Sequence, residues 1–431
     1  MRILLTSNAS YLPPRGGSTR SNLAYLHSLV EHGHECRVIS GAAETGTAGQ
    51  LNRVREELED QQFHTSFATQ LSQEPVATGN IDDIEIVAVR DLLRNAHIIA
   101  DQVSEWRPDW LLVSSEDLSH TLLRQSAKAA PGRIVYLAHT PQWFPFGPAA
   151  WNPDKDATAI LQKAAAIVVI SNAMAAYIER HLGRKPVLAH PAIYGTGPWP
   201  VLSRFDQSIG MINPCAVKGI GTFLALADLL PDRKFAALPG WGTTSHDIEN
   251  LKRRKNISIA PRVRDIEQFL KRLSVLLMPS VWLEGFGLIV MEALLRGVPV
   301  IASDSGGLRE AKAGTHFVIP RRVVEKYEPV YDDRNMPRPV LPPQNVEPWI
   351  IAIHELTKSR EAYEDEVRRG RDAAIRFVQA IDRFALEKVL QSLPAPPPLP
   401  SGKIKPILSQ LSEAKRELLL KRLRERAGEK R

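Results

Sequence analysis

Residues 273–310 constrain the fold more than any other stretch of the chain. They read L-S-V-L-L-M-P-S-V-W-L-E-G-F-G-L-I-V-M-E-A-L-L-R-G-V-P-V-I-A-S-D-S-G-G-L-R-E. The apolar run at 275–278 is short enough to be a buried parallel strand. A loop over 279–286 follows, then a helix over 288–295 that Gly297 and Pro299 stop. A second buried strand spans 298–302, and Gly306-Gly307 turns the chain into another helix start. Strand, loop, helix, strand, loop, helix is the order of a doubly wound parallel sheet. In such sheets ligands sit beyond the carboxyl ends of the strands, where these loops lie.

Two carboxylates stand in this stretch. Glu284 is in the loop and Glu292 is inside the helix. Between them, Gly285-Phe286-Gly287 lets a ligand approach the backbone closely. The exposed amides at the helix start favour an anion, typically a phosphate. Glu292, about one turn in, is placed to accept hydrogen bonds from ribose hydroxyls. Taken singly, each also reads as an ordinary glutamate, one favoured by the helix dipole and one solvated; the string as a whole is far more specific.

The string E-G-F-G-L-x-x-x-E-A, followed by G-V-P-V-I-A and S-G-G-x-x-E, resembles the donor-binding signature of the retaining family 4 glycosyltransferases. The resemblance runs in order through most of residues 1–320. It implies an α/β chain of the GT-B fold, two Rossmann-like parallel-sheet domains facing a cleft. Glu284 and Glu292 match the family's paired glutamates, the first contacting the donor sugar and the second the nucleotide ribose. Amides at Phe286, Gly287 and Leu288 are implied to approach the sugar and diphosphate.

Composition excludes several other classes. At 431 residues, with 44% hydrophobic content, the chain has material for two or three domains. No apolar run reaches about 18 residues, so no membrane-spanning helix is expected. Residues 1–6 read as a first strand rather than a leader. Cys36 and Cys215 are too few and too far apart for a disulfide framework or a cysteine metal site. A cytoplasmic protein is expected, with peripheral membrane contact as an option. The net charge is +7, and residues 403–431 carry five Lys and five Arg against four Glu. The remainder is near neutral, so no nucleic-acid footprint is spread over the fold.

In the first half, Gly16-Gly17 lies between a strand at 2–6 and a helix at 19–31. Locally this is a tight βα turn or an anion-tolerant one. The resemblance places Gly17 at the interdomain cleft near the donor diphosphate. Residues 42–80 show no strong periodicity and read as an insertion flanking the acceptor side. Strands at 83–89 and 109–114 and helices at 91–105 and 117–129 follow. His139 ends a buried strand at 133–138, a position suited to chemistry. It matches a His that relatives place near the reacting face of the donor sugar. The aromatic, Pro-rich run 142–148 is either a substrate-gripping lid or a packed loop. Ser171-Asn172 caps the next helix.

In the second half, Lys218 follows a strand at 208–212. A lysine at a helix start runs against the dipole trend and favours an anionic ligand; it matches the family lysine that binds the donor phosphates. There is one departure. Many relatives carry Gly-Arg before this loop, with the Arg on phosphate; here the pair is Gly210-Met211. Arg262 and Arg264 are the candidates for the missing charge. Residues 321–345, with five Pro, read as an ordered excursion. One helix is expected over 360–391.

The organisation expected is an acceptor-side domain at 1–195 and a donor-binding domain at 196–375. A helix at 376–392 crosses back, and a Pro-rich linker at 393–406 leads to a basic amphipathic tail helix at 407–431. The tail resembles short L-S-x-x-K-R-x-L-L segments of nonribosomal peptide synthetases. It is a docking helix for a protein partner, a membrane-surface helix, or a plain terminal helix.

The activity implied is transfer of a sugar from a nucleotide-diphosphate sugar to an unidentified acceptor: a polysaccharide, a lipid or a secondary metabolite. Anomeric configuration would be retained, His139 and Glu284 forming the reacting end. No metal cofactor is required if Lys218 and the helix amides carry the leaving charge, and no Asp-x-Asp pair is placed in the cleft. The alternatives are another GT-B enzyme, such as an epimerase or phosphorylase, and a non-catalytic sugar-nucleotide-binding scaffold.

Overall fold

The computed structural model describes residues 1–14, 16–42, 65–66, 76–263 and 265–399. The tail at 407–431 and Arg264 therefore lie outside the described residues, as does most of 42–80. Two sheets form the frame.

The strands of the first sheet are β1 (Arg2–Ser10), β2 (Glu35–Gly41), β3 (Thr65–Ser66), β4 (Val76–Ile81), β5 (Ile84–Val89), β6 (Trp110–Ser114), β7 (Ile134–Ala138), β8 (Ala166–Val169) and β9 (Val187–Leu188). Their order is β3-β4-β5-β2-β1-β6-β7-β8-β9. The run from β5 to β9 is parallel, and β4 and then the edge strand β3 are added antiparallel beside β5. The second sheet contains β10 (Ser208–Ile212), β11 (Phe235–Leu238), β12 (Ile257–Ile259), β13 (Leu273–Met278), β14 (Val300–Ser303) and β15 (Val318–Ile319), in the all-parallel order β12-β11-β10-β13-β14-β15.

The strand sequences explain both sheets. Successive residues point to opposite faces, and here both faces are covered. Leu4 and Leu111 enter one apolar core while Ile3, Leu5 and Leu112 enter the other. In the second sheet Val275 and Leu277 face one core and Leu276 and Met278 the other. Each fully buried Leu, Ile or Val contributes about 1.5–3 kcal/mol, so continuous apolar runs are what such strands require. Each sheet reverses its winding at one place. In the first it is between β1 and β6; in the second it is between β10 and β13. Crevices open at the carboxyl ends of such neighbours, and Gly17, Lys218 and Glu284 follow β1, β10 and β13 at those ends.

Several boundaries differ from the sequence reading. Residues 91–97 form turns and the helix runs only Ile98–Trp106, because Asp91 adopts a left-handed φ of 49° that breaks helical geometry. The excursion at 321–345 contains the antiparallel hairpin β16 (Tyr327–Tyr331) and β17 (Pro337–Pro339). The helix expected over 360–391 is two. Arg360–Gln379 packs on the second sheet's layer, where Gly370 meets Leu294 and the Arg371 guanidinium donates to Leu295 O and Trp199 O. The chain then turns, with Asp382 Oδ1 accepting from Phe384 N. Ala385–Ser392 buries Leu386, Val389 and Leu390 in the first sheet's core. Its Glu387 meets His32 Nδ1 at 2.5 Å and His34 Nε2 at 3.0 Å.

The first residues of the Pro-rich linker are also docked. Leu399 is 6% exposed and enters a core of the first sheet, while Arg133 donates to Pro397 O through Nε at 3.0 Å and Nη2 at 2.5 Å. Arg133 precedes β7, so the segment leaves from the end of the sheet opposite the cleft. Leu399→Ala is expected to destabilise this half by about 2–3 kcal/mol, read as a lowered melting temperature.

Candidate active site

The donor side is built by the loops after β10 and β13. A 3-10 turn, Ala216–Lys218, follows β10 and ends at Gly219 in a left-handed φ of 85°. A Cβ on Gly219 would lie 2.0 Å from Pro279 O, so glycine lets the two loops touch. That contact brings Lys218 to Glu284. Its ammonium donates to both carboxylate oxygens, at 2.6 and 2.8 Å, and lies 4.4 Å from the Trp282 ring centroid. Ser280 Oγ donates to Glu284 Oε1 at 2.5 Å. Glu284 is only 6% exposed, so a cation and a hydroxyl hold an otherwise costly charge.

Gly287, at φ 98°, swings the chain into the helix Leu288–Leu295. The first amides of a helix have no intrahelical acceptor, and neither an acidic side chain nor a side-chain cap occupies this first turn. Phe286 is buried, stacked on Phe377 and edge-on to His190. Glu292, further along, is 6% exposed and receives Arg20 Nη2 at 2.6 Å from the helix Gly17–Glu31 of the other half. The carboxylate beside it raises the Arg20 pKa.

On the facing side, Gly17 lies directly against Leu288; a Cβ on it would be 3.0 Å from Leu288 Cδ1. His139 ends β7, 3% exposed. Its Nε2 is 2.8 Å from Asn22 Oδ1 and its amide donates to Ser115 Oγ. Nδ1 is buried with no partner, and burial lowers the imidazole pKa to about 4. The His139 carbonyl touches Gly285 across the cleft. Gly17, Lys218, Glu284, Phe286, Gly287, Leu288, Glu292 and His139 thus gather around one interdomain seam.

Other residues joined there escaped the sequence reading. Arg20 and Asn22 lie within about one turn of Gly17, on the helix it opens. Glu116 follows the carboxyl end of β6, and burial raises its pKa to about 7; a strand-end carboxylate was the available signal. Glu310 closes the S-G-G-x-x-E string and crosses the seam to Asn172 N at 2.7 Å and His190 Nε2 at 2.7 Å. Ser171, which caps its helix through Met174 N, also donates to Gly285 O at 2.5 Å.

The aromatic run 142–148 divides. Phe144 and Phe146 are core residues packed on Tyr177, while Trp143 faces Trp151. Trp151 meets Trp282 and Tyr327 from the other half, with ring centroids 6.1 and 5.7 Å away. The hairpin excursion is fastened over these loops through Val324 N to Val281 O and Arg334 Nε to Thr243 O. Asp333 Oδ2 accepts from Ser245 N and Oγ at the start of the helix Ser245–Lys252, which Thr244 caps. Among the described residues no group of three His, Cys, Asp or Glu is placed to hold a metal ion, and no helix is long and apolar enough to cross a membrane.

The Met211 side chain, in place of the family arginine, is 1% exposed in a core of the second sheet. A second partly buried cation, Arg321, donates to Thr222 Oγ1 and Pro279 O, and burial lowers its pKa to about 10.

Residues 208–328 match the family model described as glycosyl transferases group 1. An uncharacterized 42.6 kDa protein of the cps region of Klebsiella pneumoniae is 27% identical over 106 residues, 24% of this chain. The match spans only 28% of that relative's length. Among solved structures, sucrose-phosphate synthase from Thermosynechococcus elongatus is 15% identical with a TM-score of 0.62, over 90% of this chain and 96% of that one. HepE of Anabaena, solved with UDP and glucose, is 16% identical with a TM-score of 0.61, over 91% of this chain and 100% of that one. The chain has the GT-B fold, and its residues 208–328 are similar to the group 1 glycosyl transferases.

Proposed function

We propose that the protein is a retaining glycosyltransferase that moves a sugar from a nucleotide-diphosphate sugar to an acceptor hydroxyl. The observation that supports this reading is the enclosed Lys218–Glu284 pair together with an uncapped helix start, a cation and free amides of the kind a departing diphosphate requires. The C1–O bond to the diphosphate breaks and an acceptor oxygen bonds C1 on the same face. The acceptor proton passes to the departing phosphate oxygen. Lys218 and the amides of Phe286, Gly287 and Leu288 hold the leaving charge in place of a metal ion. Glu284 and His139 position the sugar, and Glu292 takes the ribose. UDP-sugars are the first donors to test, because HepE binds UDP and UDP-glucose.

The test is thermal stabilisation by UDP-, GDP- and dTDP-sugars, on wild type and on Glu292→Ala. One donor is expected to raise the melting temperature of wild type, and the variant to lose most of that shift. Absence of any shift across all donors would sink the reading. A second reading, a non-catalytic sugar-nucleotide-binding scaffold, draws on Met211, which leaves the phosphate site one cation short. It predicts saturable donor binding without hydrolysis or transfer.

A further inference from the structure

Beneath the first glycine turn, four side chains form one hydrogen-bonded line. Ser114 Oγ lies 2.5 Å from Glu116 Oε2. Asn22 Nδ2 lies 3.0 Å from Ser114 Oγ and 2.9 Å from Tyr11 Oη. Asn22 Oδ1 lies 2.8 Å from His139 Nε2. Ser114, Asn22 and His139 are 1%, 0% and 3% exposed, and His139 Nδ1 has no partner. The Ser114–Asn22–His139 part of the line is therefore closed to water, and its protons must be mutually consistent.

Counting protons gives the line a direction. A serine hydroxyl has one proton to give. When Glu116 is ionised, Ser114 donates to it and accepts from Asn22, which must then present its NH2 to Ser114. The amide oxygen is left facing His139, so His139 carries its proton on Nε2 and Nδ1 is a bare acceptor. When Glu116, which Ser7 also contacts, is protonated, it can donate to Ser114 and so free the serine's own proton to turn to Asn22. The amide then turns over, Asn22 donates to Nε2, and the imidazole proton moves to Nδ1. Tyr11 suits either state, since a hydroxyl both donates and accepts.

We propose that Glu116, acting through Ser114 and Asn22, sets the tautomer of His139 and so decides whether its unpartnered Nδ1 can accept or donate a hydrogen bond. Glu116 is a positioning residue. The proposal rests on the transferase reading only in placing a sugar at His139. Burial raises Glu116 to about 7 and lowers His139 to about 4. Near neutral pH the imidazole is thus neutral in both states, and what changes is the position of its proton.

The other charged groups around the line are otherwise engaged. Tyr11 is pushed far above neutral by burial. Asp117 accepts from Ser119 and Leu122, Arg20 is on Glu292, and Lys218 is on Glu284 across the seam. None of these forms a hydrogen bond with the imidazole ring among the described residues.

Long-range 15N–1H spectra of histidine-labelled protein read the tautomer directly, with His139→Gln assigning the signal. In wild type the His139 proton is expected on Nε2 at alkaline pH and on Nδ1 at mildly acidic pH, crossing near the Glu116 midpoint. Glu116→Gln and Ser114→Ala each break the line and are expected to abolish the crossing. Either variant alone suffices if the other does not fold. One tautomer throughout in wild type, or a crossing that survives in a folded variant, overturns the proposal. The spectra need neither donor nor turnover, so their outcome is separate from the donor-binding test of the transferase itself.

Discussion

Lys218→Ala is expected to slow transfer about 100- to 1,000-fold, the usual cost of removing one preorganised group from a developing negative charge. The same substitution is expected to destabilise the fold by about 3–5 kcal/mol, since it strands a buried carboxylate. Both partners of the pair are well enclosed, with side-chain exposures of 16% for Lys218 and 8% for Glu284. Solvent screening therefore does not reduce the second effect to that of a surface pair.

A double substitution separates the two effects. Lys218→Met combined with Glu284→Gln removes both charges and keeps similar volumes, so stability should largely return; breaking a buried pair is costly, but replacing it whole often is not. The rate should stay low, because the Lys218 cation proposed to meet the leaving diphosphate is still absent and the Glu284 carboxylate proposed to position the sugar is gone with it. Measured together, kcat at saturating donor and the melting temperature distinguish the roles. A double variant with near wild-type kcat would remove Lys218 from the chemistry and leave the pair a structural one.

The second sheet and its site loop were largely legible in the sequence. Leu273–Met278 is apolar on both faces, Gly287 can take its left-handed turn, and the helix Leu288–Leu295 ends before Gly297. These are local rules, satisfied by neighbours in the chain. Val76–Ile81 was not legible, because V-A-T-G-N-I lacks strand alternation and becomes a strand only by pairing antiparallel with β5. The break at 380–384 was hidden for the opposite reason: the intervening sequence holds neither Gly nor Pro, and the turn is imposed by docking on two different layers. The site shows the same division. Spacing placed Glu284 and Glu292 on a loop and a helix. No local pattern joins Arg20 to Glu292 over 272 positions, or Ser171 to Gly285 over 114. Cross-seam partners are chosen by how the halves meet, and only the fold reveals that.

Gly285→Ala probes that meeting with a single methyl group. The new Cβ would lie 2.0 Å from the His139 carbonyl oxygen and 3.1 Å from its carbon, both backbone atoms of the other half. Gly285 is not among the left-handed glycines, so alanine brings no intrinsic backbone strain there. The obstacle is the opposite half, and a backbone atom cannot rotate out of the way as a side chain does. The seam must open. The hydrogen bond from Ser171 Oγ to Gly285 O and the Glu310 bonds to Asn172 and His190 span the same seam and are expected to be lost with it. Displacing reacting groups by about 1 Å can cost about 100-fold in rate, and a loss of that order in kcat is expected here. Each half keeps its own core, so both should remain folded, with a small-angle scattering radius larger than wild type. Normal kcat in a folded Gly285→Ala variant would mean that chemistry proceeds with His139 and Glu284 further apart than they stand here. The sugar would then sit within a more open seam, and closure would serve to exclude water rather than to assemble the reacting groups.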